Sequence, residues 1–170
     1  EEDRDAVAAL AREVALRAVT AMKRMRAGEG ERLCNDLLNR VTTVESIAGK
    51  IDVRAPFVVE EYRTKLSERI ESMLGGVEVD RTRLATEVAL FADKASINEE
   101  LVRLASHITE MRKVLGADEA AGRRLDFIVQ EMNREFNTIG SKANDAEITS
   151  LVIAGKGEIE KIREQVQNIE

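Results

Sequence analysis

The sequence predicts an all-α protein. Apolar residues recur at intervals of three and four along most of the 170 residues, which is the spacing of one face of an α-helix. Aromatic residues make up 3% and hydrophobic residues 44%, the latter mostly Leu, Ile, Val and Ala, a composition typical of packed helices. We therefore expect a long antiparallel helical hairpin followed by a compact helical bundle with coiled-coil-like seams.

The first predicted domain covers residues 1–76 and forms the hairpin arm. Residues 6–27 are amphipathic, and Gly28 and Gly30 then predict a bend. Pro56 predicts a helix break because proline has no N–H to donate, and a second helix should end at the Gly75-Gly76 turn. The first helix carries one apolar stripe, formed by Val7, Leu10, Val14, Ala18, Ala21 and Met25.

The second predicted domain covers residues 77–170 and forms the bundle. Asp80 is a suitable N-cap, and Ser96 with Glu99 matches a capping box. Helices are expected over 97–115 and from about 145 to 169, each with a coiled-coil-like apolar seam. A single hairpin cannot cover both seams without another helix or another subunit, and we expect a homo-oligomer, either a hexamer or a trimer.

Composition excludes several classes of protein. A net charge of −6 argues against a generic basic nucleic-acid coat. The single Cys34 cannot form an internal disulfide, which favours the cytoplasm, and no apolar run approaches the ~18 residues of a membrane span. No zinc-ligand, Walker, nucleophile-elbow or dinucleotide motif occurs in the sequence.

The stretch from Gly122 to Asp145 combines an apolar helix face with a polar stripe. Glu131 and Glu135 lie one turn apart, and Thr138 and Lys142 extend the same flank. Two carboxylates at this spacing repel each other unless a cation intervenes, and that cation could be Arg134 or a divalent metal. Spacing alone leaves a simple solvated face open as the alternative.

This stretch also carries a family resemblance. It reads GRRLDFIVQEMNREFNTIGSKAND, and residues 160–170 close the chain with EKIREQVQNIE. Together with EVALFADK at 87–94 and EELVRLASH at 99–107, these segments resemble the C-terminal half of the YicC/YloC family of bacterial endoribonucleases. The resemblance implies a fragment of a longer protein, a ring-like homohexamer in the bacterial cytoplasm, and cleavage of single-stranded or loop RNA.

Two nuclease mechanisms fit the residues. In the preferred one, Glu131 and Glu135 are catalytic and hold Mg²⁺ or Mn²⁺, with further ligands from Glu99, Glu100 and Asp93. In the other, a catalytic His107 moves protons while the RNA 2′-OH attacks. His107 shares a polar helix stripe with Glu100 and Arg103, which favours a role beyond simple hydrogen bonding.

Basic and polar side chains in the same segments are candidates for binding RNA phosphates. Guanidinium groups match phosphate geometry, although internal ion pairs with glutamates are the alternative role. A non-catalytic helical RNA-binding protein and an oligomeric adaptor protein also remain open as functions. The phosphate-binding candidates are Arg83, Arg103, Arg134 and Lys142, with Asn137 and Ser141 as weaker ones.

Overall fold

The all-α prediction is confirmed. The computed structural model describes residues 4–74, 80–117, 122–167 and 169. Within those ranges the regular structure is entirely helical, and no helix is both long enough and apolar enough to cross a membrane. The helices are α1 (Arg4–Leu74), α2 (Arg81–Ala95), α3 (Asn98–Leu115), α4 (Gly122–Lys142) and α5 (Ala146–Val166).

The predicted hairpin arm is wrong, because Arg4–Leu74 is one continuous helix of 71 residues. Gly28, Gly30 and Pro56 all lie inside it. A glycine costs a helix only about 1 kcal/mol, and a proline about 3 kcal/mol, which burial of apolar side chains can offset. Ile51 and Val58 are buried on either side of Pro56. The predicted Gly75-Gly76 turn and the 76/77 domain boundary lie outside the described residues.

The chain separates into two compact units, Glu1–Leu37 and Leu38–Glu170. In the first unit, large apolar side chains of α1 are between 45% and 73% exposed. These side chains face solvent on more than one side of the helix, and we call them the exposed apolar set. The set consists of Val7, Leu10, Val14, Leu16, Val19, Met22 and Met25.

The core of the second unit is built around α4, which packs against both α3 and α5. Segment 40–54 of α1 is tied to α3 by the Arg112–Glu45 ion pair and to α5 by the Arg40–Glu158 pair. Most of the apolar seam residues of α3 and α5 are buried within the single chain, so these seams by themselves do not require a second subunit. Coiled-coil packing itself stays a prediction. The predicted core face of α4 is buried throughout, at Leu125, Ile128, Val129, Met132, Phe136 and Ile139.

The helix ends agree only partly with the predicted caps. The Asp80 side chain accepts hydrogen bonds from the Thr82 and Arg83 amides, as predicted. The Ser96 capping box is wrong, because α3 begins at Asn98 and its N-cap, Ile97, makes no side-chain cap hydrogen bond. Ile97 is buried instead, so packing of this side chain sets the helix start.

Helices α4 and α5 approach each other closely at Gly155. A Cβ atom at this position would lie 2.5 Å from two atoms of the Phe136 ring, which is far inside van der Waals contact. Phe136 is itself fully buried. Glycine is therefore required here by packing, whereas a Cβ at Gly157, half a turn away on α5, would meet nothing within 4 Å.

Arg54 and Asp145 connect α1 to the start of α5. The Asp145 carboxylate accepts hydrogen bonds from Arg54 at 2.8 Å and from the Ile148 amide at 2.8 Å, so it serves as ion-pair partner and N-cap together. The Arg54 hydrogen bond lowers the pKa of Asp145, and burial opposes that shift. Asn144, just before it, adopts a positive φ of 46°, which Asn tolerates in a tight connection.

We expect Gly155→Ala to destabilise the protein by about 1–3 kcal/mol, because the Phe136 ring must move to admit the new methyl group. Gly157→Ala is the matched control and should stabilise the protein by up to about 1 kcal/mol through higher helix propensity. Urea denaturation followed by circular dichroism measures both. Equal effects of the two substitutions would show that the close approach is absent.

We expect Asp145→Asn to cost about 1–2 kcal/mol at pH 7, because Asn preserves the cap but loses the charge-assisted bond to Arg54. The Asp145 pKa is lowered by folding, so its stabilisation is present above the unfolded carboxyl pKa of about 3.9 and disappears as pH falls through the folded pKa. The difference between wild type and variant should therefore shrink below about pH 4. Asp80→Asn, at an exposed cap, should change stability by less than about 0.5 kcal/mol; a pH-independent Asp145→Asn effect would contradict the assignment.

Candidate active site between α3 and α4

Helices α3 and α4 run antiparallel, as their cross-helix ion pairs show. Glu100 on α3 pairs with Lys142 near the end of α4, whereas Glu110 pairs with Arg124 near its start. Between these two pairs, polar side chains line the boundary of the two helices. We call this boundary the α3–α4 polar seam; it consists of Glu100, Arg103 and His107 on α3 and Glu131, Glu135 and Lys142 on α4.

Three side chains converge at the middle of the seam. One potential ligand atom from each of His107, Glu131 and Glu135 lies within 4.8 Å of the other two. Glu131 and Glu135 reach this point because they are one helical turn apart, and His107 reaches it from the facing helix. The structure thus brings together the three predicted catalytic residues, which the sequence had assigned to two separate mechanisms.

Glu135 is buried, with only 5% of its side chain exposed. A carboxylate this deep is costly unless a cation or several hydrogen-bond donors accompany it. The Arg103 guanidinium lies 3.9 Å from its Oε1. The solvated face that spacing left open as an alternative is therefore wrong for Glu135, because α3 covers this edge of α4.

Glu131 is more accessible, with 26% of its side chain exposed. Arg134, on the same helix, lies 3.9 Å from its Oε2 and is 75% exposed. Each carboxylate of the cluster therefore has one arginine at 3.9 Å. Arg103 lies beside the buried Glu135, and the largely exposed Arg134 lies beside Glu131. The cluster opens toward solvent on the side of Glu131.

Glu100 does not join the cluster, although the sequence offered it as a metal ligand. Only 3% of it is exposed, and Lys142 Nζ donates to its Oε1 at 2.7 Å. Burial raises the pKa of Glu100, but the bond from Lys142 with the nearby charges outweighs it, so the pKa is lowered overall. Its other oxygen, Oε2, has no hydrogen-bond partner among the described residues.

The two remaining metal-ligand candidates lie apart from the cluster as well. Glu99 is exposed and forms an ion pair with Arg103 one turn further along α3. Asp93 is exposed on α2, and neither residue belongs to the group that could share an ion. Within the described ranges, the predicted ligand set therefore reduces to Glu131 and Glu135, with His107 added.

The phosphate-binding candidates divide in the same way. Arg103 and Arg134 border the cluster, and Lys142 is committed to Glu100. Arg83 is exposed on α2 beside Asp80 and is not part of the seam.

The two weaker candidates form local contacts. Asn137 accepts a hydrogen bond from Lys156 of α5 at 2.7 Å, which places it on the other flank of α4. Ser141 donates to the Thr138 carbonyl at 2.9 Å, within its own helix.

Sequence reasoning missed two polar residues of α4 and α5. Lys156 holds Asn137, and Asn133 carries an Oδ1 that is buried without a hydrogen-bond partner in the described structure. Neither stands out in the helical pattern, since each is one polar residue among many.

The donor set of the cluster fits a divalent cation. Ligands held at about 2.0–2.2 Å from one ion lie at most about 4.4 Å apart, so small side-chain rotations would bring these three atoms into range. The same arrangement also suits proton transfer, because an imidazole and two carboxylates lie close together at a boundary that opens to solvent. The geometry thus permits both of the mechanisms that the sequence left open.

Comparison with known proteins identifies the family. Residues 51–170 match the family described as "Endoribonuclease YicC-like, C-terminal". A protein of Clostridioides difficile named "Probable endoribonuclease YicC" is 44% identical over all of this chain and 58% of its own length. A Haemophilus influenzae protein of the same name is 37% identical over 86% of this chain and 50% of its own length.

The matches extend over helices α3, α4 and α5, and therefore over the whole α3–α4 polar seam. The chain spans only about half the length of these relatives. Since the family match covers well over half of the chain and the longer alignment covers all of it, the chain belongs to the YicC-like endoribonuclease family.

Proposed function

We propose that this chain is the C-terminal part of an endoribonuclease that cleaves single-stranded or loop RNA by metal-assisted hydrolysis. The observation that carries the proposal is the convergence of His107, Glu131 and Glu135 between α3 and α4. The names of the related proteins support the reaction class. Action in the bacterial cytoplasm, which the resemblance implies, stays a prediction.

The donor atoms favour Mn²⁺ over Mg²⁺. Carboxylate oxygens suit both ions, whereas imidazole nitrogen is a ligand of transition metals. When bound, such a cation supplies an activated water and neutralises the charge that develops on the phosphate. Glu131 and Glu135 would provide two carboxylate ligands to the cation, and an imidazole nitrogen of His107 would be the third ligand.

The flanking arginines would position the RNA. Arg103 is 52% exposed and Arg134 is 75% exposed, so both guanidinium groups can reach a phosphate outside the cluster. Arginine binds phosphate through two parallel N–H donors, which fixes the orientation of the backbone. The overall charge of −6 makes such local positive groups necessary for RNA to approach the acidic cluster.

A metal-free reaction is the second candidate mechanism. Two carboxylates beside His107 favour it, because they would stabilise the imidazolium that forms when the ring removes a proton from the 2′-OH. Non-catalytic RNA binding and an adaptor role are the remaining alternatives. In either of these, the cluster would be an internal polar contact between two helices.

We also propose that the protein assembles as a homohexamer or a trimer. The exposed apolar set supports assembly, since seven large apolar side chains within residues 7–25 face solvent in the single chain. Helices with such faces associate readily in water. A second copy of the same stretch is the simplest partner that would cover them.

We expect Glu131→Gln and Glu135→Gln each to reduce RNA cleavage by about 100-fold or more, because each removes one charge from the cluster. Cleavage of labelled RNA by the full-length protein should stop with EDTA and return with Mn²⁺. The free energy of unfolding should change by about 1 kcal/mol or less. Each substitution leaves one arginine without this glutamate partner, Arg134 or Arg103, and both arginines are at least half exposed to solvent. Glu160→Gln on α5, also paired with an arginine one turn away, is the matched control and should cleave normally.

Other outcomes discriminate among the alternatives. Cleavage that survives EDTA but is lost in His107→Ala would establish the proton-transfer mechanism. RNA binding without cleavage would establish the RNA-binding role. The absence of both RNA binding and RNA cleavage would favour the adaptor role. A loss of several kcal/mol in both glutamate variants would show that the carboxylates only hold α3 and α4 together.

We expect the full-length protein to be oligomeric at micromolar concentration in multi-angle light scattering. Replacing Leu10 and Val14 with Gln should shift it toward smaller species, because both side chains belong to the exposed apolar set. Arg12→Gln, which lies between them in the sequence, is the control and should leave the mass unchanged. A monomeric wild-type protein would refute the proposal.

A further inference from the structure

We propose that Arg103 is a placeholder cation: in the metal-free protein it neutralises Glu135, and a divalent cation at the cluster displaces it toward RNA phosphate. The inference rests on the proposed metal-assisted function and assigns to Arg103 a second role within it. It makes Arg103 a positioning residue that competes with the metal before RNA binds. The argument depends on burial, on distance and on a second anchor for the guanidinium.

The first step is the burial of Glu135. Its side chain is 5% exposed, and a buried carboxylate without a compensating positive charge is strongly unfavourable. Among the described residues, this carboxylate forms its ion pair with Arg103, which lies on the opposite helix, α3. Within the part of the chain that the structure describes, Arg103 is therefore the positive group that lies beside the buried Glu135 carboxylate at the α3–α4 boundary.

The second step is the looseness of this pair. The closest nitrogen of Arg103 lies 3.9 Å from Glu135 Oε1, which is beyond hydrogen-bond distance. The other terminal nitrogen contacts Glu99, one turn earlier on α3, and Glu99 is 68% exposed. The guanidinium is thus held from the solvent side and can leave Glu135 without losing its anchor.

The third step is electrostatic. A cation bound by Glu135 would sit close to the Arg103 guanidinium and repel it, so the two compete for one carboxylate. Arg134 lies at the same 3.9 Å from Glu131 but is 75% exposed, against 52% for Arg103. Because water screens the outer pair more, removal of Arg103 should affect metal binding more than removal of Arg134.

Mn²⁺ binding to the full-length protein without RNA tests the competition, measured by titration calorimetry. We expect Arg103→Gln to tighten Mn²⁺ binding by about two- to fivefold, the range of a partly exposed ion pair, and Arg103→Lys to stay near wild type because it keeps the charge. Arg134→Gln should change the affinity by less than about twofold. The melting temperature of metal-free Arg103→Gln should fall below wild type, and saturating Mn²⁺ should remove the difference.

Glu99→Gln provides a test of opposite sign. Without its solvent-side anchor, Arg103 should lie closer to Glu135, and Mn²⁺ binding should weaken by about twofold. In an Arg103→Gln background the same change should have no effect, because Glu99 acts only through Arg103. If Glu99→Gln weakens Mn²⁺ binding equally in both backgrounds, Glu99 is itself a ligand and the placeholder role is wrong.

The outcomes separate this inference from the proposed function. If wild-type protein binds no Mn²⁺, or Glu135→Gln binds it as tightly as wild type, the metal centre is wrong and the placeholder role falls with it. If Glu135→Gln abolishes binding but Arg103→Gln leaves it unchanged or weaker, the metal centre stands and the placeholder role is refuted.

Discussion

Two carboxylates lie buried where α3 meets α4, and each of them needs a positive side chain from the facing helix beside it. Counted over the whole residue, Glu100 and Glu135 are each 3% exposed, and the other buried residues of the bundle are mostly apolar. Lys142 accompanies the first and Arg103 the second, each reaching across from the facing helix. Because Glu100 and Lys142 belong to different helices and are hydrogen-bonded at 2.7 Å, this pair favours one register of α3 and α4, which apolar seams alone would leave freer to slide.

The rest of the bundle holds this register in place. On its far flank α4 meets α5 through the Phe136–Gly155 contact, where no larger residue fits. Arg54 and Arg112 tie α1 to the start of α5 and to α3 respectively. A polar cluster held by side chains on rigid helices can keep its geometry to a fraction of an ångström, which is what chemistry at a phosphate requires.

Periodicity predicted the helical fold and the core face of α4, because both depend on spacing alone. The breaks that Gly28, Gly30 and Pro56 indicated are absent from α1, because a glycine costs a helix only about 1 kcal/mol and the burial of Ile51 and Val58 offsets the proline. Periodicity also could not decide whether Glu135 is solvated or buried. Position 135 lies beside the buried Phe136 at the edge of the apolar face, and a sequence pattern gives direction around a helix but not the depth to which a neighbour covers it.

Helical periodicity could not predict that His107 lies close to Glu131 and Glu135, for a related reason. Each residue was singled out on its own helix, but the contact depends on the axial offset between α3 and α4, which the Glu100–Lys142 and Arg124–Glu110 pairs set. Had the helices slipped by one turn, His107 would keep only one of the two glutamates as its neighbour. The candidate site thus depends on the register of α3 and α4, and the placeholder proposal adds that a divalent cation would have to compete with Arg103 for the buried Glu135 carboxylate.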